Sequence, residues 1–337
     1  MIIDNINHHQ NLFFELKKFD ELPCSVFLKL EGMNFAGSIK LKPAVYIIDE
    51  LEKQGKIIPG VHTIIESSSG NLAIALAMIC HSKGYAFTAV IDPNTSNDVI
   101  KLLNVYKANI IIERERDING GYLGTRIETI QRIISTHDNY YWINQYANNS
   151  NIMSHYQATA KEIHSVFNPA LQRDLPTHIF VGSSTTGTLG GILKYFKEFS
   201  PDTKIIAVEP EGSITFSSYF KSRFIPGIGA SRVPELSTQI DKANLHDIVW
   251  VKETDTISCC NRLLNDYSLL LGGSTGSVIS AILSYRHLLS PEDTVIGISP
   301  DFGQKYIDTV YNAEWVTDKM MSDTKLEFEE ENTERPN

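Results

Sequence analysis

Short apolar runs alternate with longer segments of helical period along most of this chain. The short runs are rich in β-branched residues, and longer segments such as NLAIALAMICHSKG from Asn71 repeat apolar positions every three or four residues. Strands that alternate with helices favour parallel sheets covered on both faces, so the pattern predicts an α/β fold. The predicted strands are CSVFLKL from Cys24, HTIIES from His62, AFTAVID from Ala86, ANIIIER from Ala108, YYWIN from Tyr140, HIFVGSS from His178, KIIAVEP from Lys204, DIVWVKE from Asp247 and DTVIGISP from Asp293.

The number of strands also bears on the organisation of the chain. About ten strands suit two covered layers better than a single sheet. A polar, turn-rich stretch near the middle, NQYANNSNIMS from Asn144 to Ser154, is the clearest seam between them. The acidic C-terminal segment, residues 318–337, has little apolar content, and we predict that it is disordered.

Composition and charge exclude several classes of protein. The 30 basic residues against 40 acidic ones give a formal charge of −10, and no basic run suggests a nucleic acid or membrane partner. The four cysteines are scattered without a CxxC pair, and the N-terminus lacks the order of a signal peptide. His8 and His9 near the N-terminus are a weak metal signal, and no metal site is predicted. We expect a cytoplasmic protein.

Three strand-to-helix junctions are unusually rich in small hydroxyl residues. They are ESSSGNLAIALA from Glu66, VGSSTTGTLGG from Val181 and GGSTGS from Gly272. Each one alone is explained by ordinary helix capping. Together they predict a crown of hydroxyls and free backbone N–H groups at the carboxyl ends of the strands, where parallel sheets bind ligands.

The second junction has the glycine spacing of a nucleotide loop but not its cation. Four residues separate Gly182 from Gly187, but Thr188 follows where a P-loop requires lysine. What remains is an anion cradle of backbone N–H groups and hydroxyls, which suits one terminal phosphate on a small molecule. A separate lysine, Lys40, follows a small-residue turn directly before a predicted helix.

Four motifs in order identify a family resemblance. NFAGSIK, SSSGN, SSTTGT and GGSTGS resemble the cofactor and substrate loops of the fold-type II pyridoxal-phosphate enzymes of the cysteine synthase and cystathionine β-synthase family, over about Ser25 to Tyr306. The resemblance implies a homodimer of two-domain subunits. Residues 42–150 would form a smaller mobile domain that carries the substrate loop, and 1–41 with 151–317 a larger cofactor domain.

The resemblance also implies roles for individual residues. Lys40 would bind the cofactor covalently and move the Cα proton, Asn71 would meet the ring hydroxyl, and Ser274 the ring nitrogen. The cofactor phosphate would be bound by Ser184, Thr185, Thr186, Gly187 and Thr188. The predicted substrate-binding residues are Ser68, Ser69 and Gly70 for the α-carboxylate, Arg126 and Arg232 for anionic groups, Gln145 and Tyr146 for the acceptor, and Gly229 for close backbone approach.

Further segments point to one branch of the family. GGYLGTRI, YWINQYAN and PGIGASRVPE look like the branch that joins O-phospho-L-serine to the amino group of L-glutamate, in the biosynthesis of diaminopropionate for siderophores. A cysteine or cystathionine-type synthase that uses sulfide or a thiol is the alternative, and a cofactor-binding partner protein without turnover is another. The sequence departs from the family where Leu41 and Lys42 replace the usual Asp-Arg, and where Ala73 replaces a glycine.

Overall fold

A computed structural model of the chain describes residues 11–118 and 120–320. Its strands are β1 (Phe13–Glu15), β2 (Ser25–Leu30), β3 (Thr63–Ser67), β4 (Ala86–Ile91), β5 (Asn109–Ile112), β6 (Tyr140–Trp142), β7 (His178–Gly182), β8 (Lys204–Pro210), β9 (Asp247–Val251) and β10 (Thr294–Ser299). Its α-helices are α1 (Leu41–Lys53), α2 (Asn71–Lys83), α3 (Asn97–Val105), α4 (Leu123–Ile134), α5 (Asn149–His155), α6 (Lys161–Val166), α7 (Gly187–Phe199), α8 (Glu253–Tyr267) and α9 (Gly273–Ser284). A π-helical turn, Tyr156–Ala160, joins α5 to α6, and residues 313–320 are helical.

The larger sheet has six strands in the order β1-β2-β10-β7-β8-β9. All neighbours are parallel except β1, which pairs antiparallel with β2 at one edge. Alternate side chains enter different cores: Phe180 packs with residues of α8 and α9, while Ile179 and Val181 pack with residues of α6 and α7. Helices therefore cover both faces, which explains why these strands are nearly continuous apolar runs.

The smaller sheet has four parallel strands in the order β5-β4-β3-β6. Ile64 and Phe87 pack on one face with α1 and α2, and Ile65 and Val90 pack on the other with Ile130 of α4. Helix α2 is buried along Leu72–Cys80, so it lies inside the protein rather than on its surface. The two sheets with their helices confirm the predicted α/β fold.

The chain crosses between the two sheets at two places that matter for the site. After β2 of the larger sheet, a turn leads through Lys40 into α1, whose buried face belongs to the core of the smaller sheet. After β6 of the smaller sheet, the chain passes Gln145 and enters α5, which contacts both α1 and α7. The predicted domain boundaries at 42 and 150 lie near these crossings, and the mobility of the smaller domain stays a prediction.

The structure adds to or departs from the sequence expectations at three places. The strand β1, three residues that pair antiparallel with β2 at the edge of the larger sheet, was not predicted. The predicted seam from Asn144 to Ser154 contains the start of α5 and is partly buried, since Asn151 is 1% exposed. The prediction of a disordered tail is wrong for residues 318–320, which are helical, and residues 321–337 lie outside the described part of the chain.

One further finding concerns the helices. Within residues 11–118 and 120–320, none combines the length and the apolar character that crossing a bilayer requires.

Candidate active site

A cavity of about 460 Å³ opens at the carboxyl ends of strands from both sheets. The three hydroxyl-rich junctions and the lysine turn all reach it, as the position of strand ends in parallel sheets leads one to expect. Most of the predicted site residues line it, namely Lys40, Ser68, Ser69, Gly70, Asn71, Arg126, Gln145, Tyr146, Ser184, Thr185, Thr186, Gly187, Thr188 and Ser274. Residues far apart in sequence are thus brought together around one space.

Lys40 stands where the chain crosses from the larger sheet to α1, and its half-buried side chain lines the cavity. Burial lowers the pKa of its amine from 10.5 to about 8, and the charge of Asp301 opposes this shift. An amine with such a pKa is neutral in about a tenth of the molecules at pH 7. The neutral form is the nucleophile and the base, so the position of Lys40 prepares it for both roles.

The loop before α7 forms a compact concave cradle. Thr186 has a φ of 66°, a left-handed conformation that is uncommon for threonine, and its hydroxyl is buried without a partner among the described residues. Thr185 Oγ1 accepts a hydrogen bond of 3.2 Å from Asn151 Nδ2. A Cβ atom at Gly187 would lie 2.2 Å from Asn151 Oδ1, so any other residue here would require Asn151 to move. Free hydroxyls at a helix N-terminus favour an anion.

The Ser-Gly-Asn turn at the start of α2 presents further hydroxyls to the cavity. Ser68 Oγ accepts a hydrogen bond of 3.2 Å from the backbone N–H of Ala73, so Ser68 caps this helix as well as lining the site. Ser67, which sequence reasoning did not single out, also lines the cavity, and its hydroxyl is buried with no partner among the described residues. The turn therefore combines capping with unused donors.

Asn71 belongs to a polar network that the sequence analysis missed. Its Nδ2 donates to Asp301 Oδ2 at 2.7 Å, and its Oδ1 accepts a hydrogen bond from Lys305. Tyr306 donates to the same Asp301 oxygen at 2.6 Å. Burial raises the pKa of Asp301 against these hydrogen bonds. The position of this segment directly after β10, at the same sheet edge, was the signal that could have identified it.

Arg126 is buried beside a carboxylate at the cavity wall. The residue is 8% exposed, and its Nη1 lies 3.1 Å from Oδ2 of Asp92, which follows β4. Its Nε is buried and donates to none of the described residues. A guanidinium in this state retains hydrogen-bonding capacity for a further anion in the cavity.

A buried glutamate, Glu66, supports the segment that carries Gln145 and Tyr146. Its carboxylate accepts hydrogen bonds from the backbone N–H of Ser67 at 2.8 Å and of Gln145 at 3.2 Å. Burial raises its pKa to about 7, although the hydrogen bonds work in the opposite direction. Sequence reasoning assigned this residue only to the end of a strand, because its polar partners come from another part of the chain.

Two predicted site residues do not line the cavity. Arg232 is exposed, so its position does not support the prediction that it binds an anionic group there. Gly229 also lies outside the cavity wall; its backbone N–H donates to Ser183 O at 2.6 Å, and a Cβ atom would meet Arg223 at 2.1 Å. Glycine is required at this position by protein packing behind the cradle.

Known proteins resemble this chain over most of its length. A family model described as pyridoxal-phosphate dependent enzyme matches residues 9–301. N-(2-amino-2-carboxyethyl)-L-glutamate synthase of Ralstonia nicotianae is 42% identical over 299 residues, which cover 88% of this chain and 86% of that protein. Among solved structures, O-ureido-L-serine synthase has a TM-score of 0.83 at 24% identity, covering 93% of this chain and 96% of that one. An O-acetylserine dependent cystathionine beta-synthase from Helicobacter pylori has a TM-score of 0.81 at 26% identity, covering 92% and 98%.

Proposed function

Because this chain belongs to the family of pyridoxal-phosphate dependent enzymes, we propose that it is a synthase that joins O-phospho-L-serine to L-glutamate. The Cβ–O bond of phosphoserine breaks, a bond forms between Cβ and the glutamate nitrogen, and phosphate and one proton are released. The product is N-(2-amino-2-carboxyethyl)-L-glutamate, a precursor of L-2,3-diaminopropionate. The relative of 42% identity carries the name of this activity, and the cavity has the chemistry that it requires.

The residues present fit pyridoxal phosphate. Among the described residues the buried hydroxyl of Thr186 has no partner, and a Cβ atom at position 187 would meet Asn151; both features suit a cradle for a phosphate group. We assign the phosphate to residues 184–188, the ring hydroxyl to Asn71, the ring nitrogen to Ser274 and the covalent linkage to Lys40. When bound, pyridoxal phosphate supplies an electron sink that weakens the Cα–H bond of an amino acid and allows a group on Cβ to leave.

The protein itself moves the proton and holds the amino acid. Lys40 takes the proton from Cα as its amine becomes free, and returns it when the product is complete. Its lowered pKa, about 8, makes proton transfer feasible near neutral pH. Ser68 and Ser69, with backbone N–H groups at the start of α2, bind the α-carboxylate where the helix dipole favours a negative charge.

A single observation carries the choice of leaving group: a buried guanidinium with an unused N–H lines the cavity. Arg126 Nε has no partner among the described residues, and the contact with Asp92 is made by Nη1. A dianionic phosphate leaving from Cβ gains more from this cation than an acetate does, because the attraction scales with charge. This observation favours phosphoserine over O-acetylserine.

The acceptor amino acid would enter on the side of Gln145 and Tyr146. Both residues line the cavity, and Glu66 anchors the backbone of Gln145 from behind. The amide of Gln145 can donate and accept hydrogen bonds, which suits an amino acid with an amine and two carboxylates. We assign these two residues to the recognition of glutamate.

We also propose that the enzyme works as a homodimer in the cytoplasm. The dimer follows from the family resemblance, and sedimentation velocity would test it by giving the mass of two chains. The reducing compartment is supported by the four cysteines, which form no disulfide with one another.

A matrix of substrates tests the function. Purified enzyme with pyridoxal phosphate is incubated with O-phospho-L-serine or O-acetyl-L-serine, each paired with L-glutamate or sulfide, and the products are identified by mass. We expect the glutamate adduct only, and most rapidly from phosphoserine. If cysteine forms instead, the chain is a cysteine-type synthase. If no donor is consumed at all, it is a cofactor-binding protein without turnover.

A further inference from the structure

Lys42, two residues after the reactive lysine, is buried in a compact ionic cluster. It is 5% exposed, and its Nζ lies 2.7 Å from both Glu31 and Glu162. Lys29 contacts the same two carboxylates, at 3.1 and 2.6 Å. The four residues balance in charge, as buried ions must if the fold is to tolerate them.

The contacts of Lys42 lead on from the ionic cluster toward the cavity. Lys42 Nζ also lies 3.3 Å from Thr159 Oγ1, and Thr159 Oγ1 lies 3.0 Å from Nδ1 of His155. The other ring nitrogen of His155, Nε2, lies 3.2 Å from the hydroxyl of Thr188. This chain of contacts therefore leads from the ionic cluster to the last hydroxyl of the cradle.

The donors and acceptors of these groups allow one continuous run of hydrogen bonds from Lys42 to the cradle. An ammonium group only donates, so Thr159 Oγ1 must accept from Lys42, and its own hydrogen can then be donated to His155 Nδ1. His155 is fully buried, and burial together with the charges of Lys40 and Lys42 lowers its pKa well below 6.5. A neutral imidazole that accepts at Nδ1 carries its hydrogen on Nε2 and donates it to Thr188 Oγ1.

The hydroxyl of Thr188 then has its oxygen engaged and its hydrogen free. We propose that Lys42 is a positioning residue which, through Thr159 and His155, holds Thr188 as a hydrogen-bond donor to the anion in the cradle. The cradle, residues 184–188, contains no lysine. Through Thr159 and His155, Lys42 would orient a donor toward the anion without placing a cation beside it. The inference rests on the proposed function in one respect: the anion is taken to be the phosphate of pyridoxal phosphate.

The ionic cluster provides a pair of matched variants. In Lys42→Met with Glu162→Gln, Lys29 and Glu31 remain as a balanced pair, but the donor to Thr159 is lost. In Lys29→Met with Glu162→Gln, Lys42 and Glu31 remain, and so does the contact with Thr159. Both double variants remove one positive and one negative charge, which protects the fold from an unpaired buried ion. Lys42→Arg keeps a donor-only cation and serves as the conservative rescue.

The first measurement is the tautomer of His155, read from the ¹⁵N chemical shifts of labelled full-length protein. We expect hydrogen on Nε2 in the wild type, in Lys42→Arg and in the Lys29 double variant. The Lys42 double variant should contain both tautomers, because Thr159 is then free to reverse its hydrogen bond. Hydrogen on Nδ1 in the wild type, or identical spectra for the two double variants, would overturn the proposal.

The second measurement isolates the phosphate. The affinity of cofactor-free protein for pyridoxal phosphate is divided by its affinity for pyridoxal, which lacks the phosphate. A lost hydrogen bond to a charged group should lower this ratio by about tenfold in the Lys42 double variant. An equal fall in the Lys29 double variant would refute the relay. A wild-type ratio near one would instead refute the assignment of the cradle, so the two failures can be distinguished.

Discussion

Replacing Arg126 with methionine removes a cation that is only 8% exposed and lies beside Asp92. Removing one partner of a buried ion pair costs about 3–5 kcal/mol of stability, because the remaining charge is left unpaired. The double variant Arg126→Met with Asp92→Asn removes both charges, and we expect it to recover most of that loss. It is therefore the better protein for measurements of activity.

The expected effect on catalysis comes from the unused hydrogen-bonding capacity of Arg126. Among the described residues, its buried Nε has no partner, and its Nη1, although 3.1 Å from Asp92 Oδ2, forms no hydrogen bond of good geometry. Two charge-assisted hydrogen bonds to a phosphate contribute about 3 kcal/mol or more. The kcat/KM for phosphoserine should therefore fall by about a hundredfold or more. Asp92→Asn alone should lower the KM for phosphoserine, because the carboxylate of Asp92 then no longer competes with the substrate for Arg126.

The assay compares two donors in the same proteins. Consumption of O-phospho-L-serine and of O-acetyl-L-serine, each with saturating glutamate, is followed in the wild type, in Asp92→Asn and in the double variant. We expect the double variant to lose selectivity for phosphoserine while its kcat/KM with acetylserine stays nearly unchanged. An equal fall for both donors would show that Arg126 supports the fold of the site and does not bind the leaving group.

Three further predictions concern single residues. Burial raises the pKa of Glu66 from 4.5 to about 7, so the carboxyl of the unfolded chain ionises at lower pH than that of the folded protein. Wild-type stability should therefore fall by about 3 kcal/mol as the pH rises from 4.5 through about 7. Glu66→Gln should remove that fall, and a constant difference between the two proteins in urea unfolding from pH 4.5 to 8 would contradict the reasoning. Gly187→Ala places a Cβ atom 2.2 Å from Asn151 Oδ1, so its affinity for pyridoxal phosphate should drop at least tenfold in a spectroscopic titration, and an unchanged affinity would show that the cradle can adapt. Borohydride reduction of the holoenzyme should attach the cofactor to Lys40 alone, and attachment to another lysine would refute the assignment. Binding of the cofactor to the cofactor-free protein should become faster as the pH rises through about 8, the pKa of Lys40.

The family and much of the site could be predicted because their signals are local. A strand that ends in small hydroxyl residues and leads into a helix is visible in ten to twelve letters, and the position of parallel strand ends then brings such junctions together. The family match over residues 9–301 confirms the resemblance drawn from four such motifs. Lys40 was identified for the same reason, since the turn before it and the helix after it are contiguous in sequence.

The residues that were missed act through contacts that no local pattern displays. Asn71 and Asp301 are separated by 230 positions, and their hydrogen bond exists only because β3 and β10 end at the same cavity. Asp92 is the last residue of a predicted strand segment, and its importance comes from Arg126 on a later helix. Arg232 was predicted from its motif alone, but the loop that carries it leaves its side chain exposed.

One physical rule explains how the charges of the site are arranged, and it is not visible in the net charge of the chain. The chain carries a formal charge of −10, so its overall field repels the anionic cofactor and substrates that we propose. Attraction must therefore be local, but an unpaired buried cation would be costly before any ligand arrives. The protein resolves this conflict by pairing these cations with carboxylates. The negative charge of Asp301 raises the pKa of Lys40, and Asp92 lies 3.1 Å from Arg126. An arriving anion then competes with an existing partner, so neutralising that partner should strengthen binding, which is why Asp92→Asn is expected to act in the opposite direction to the loss of Arg126.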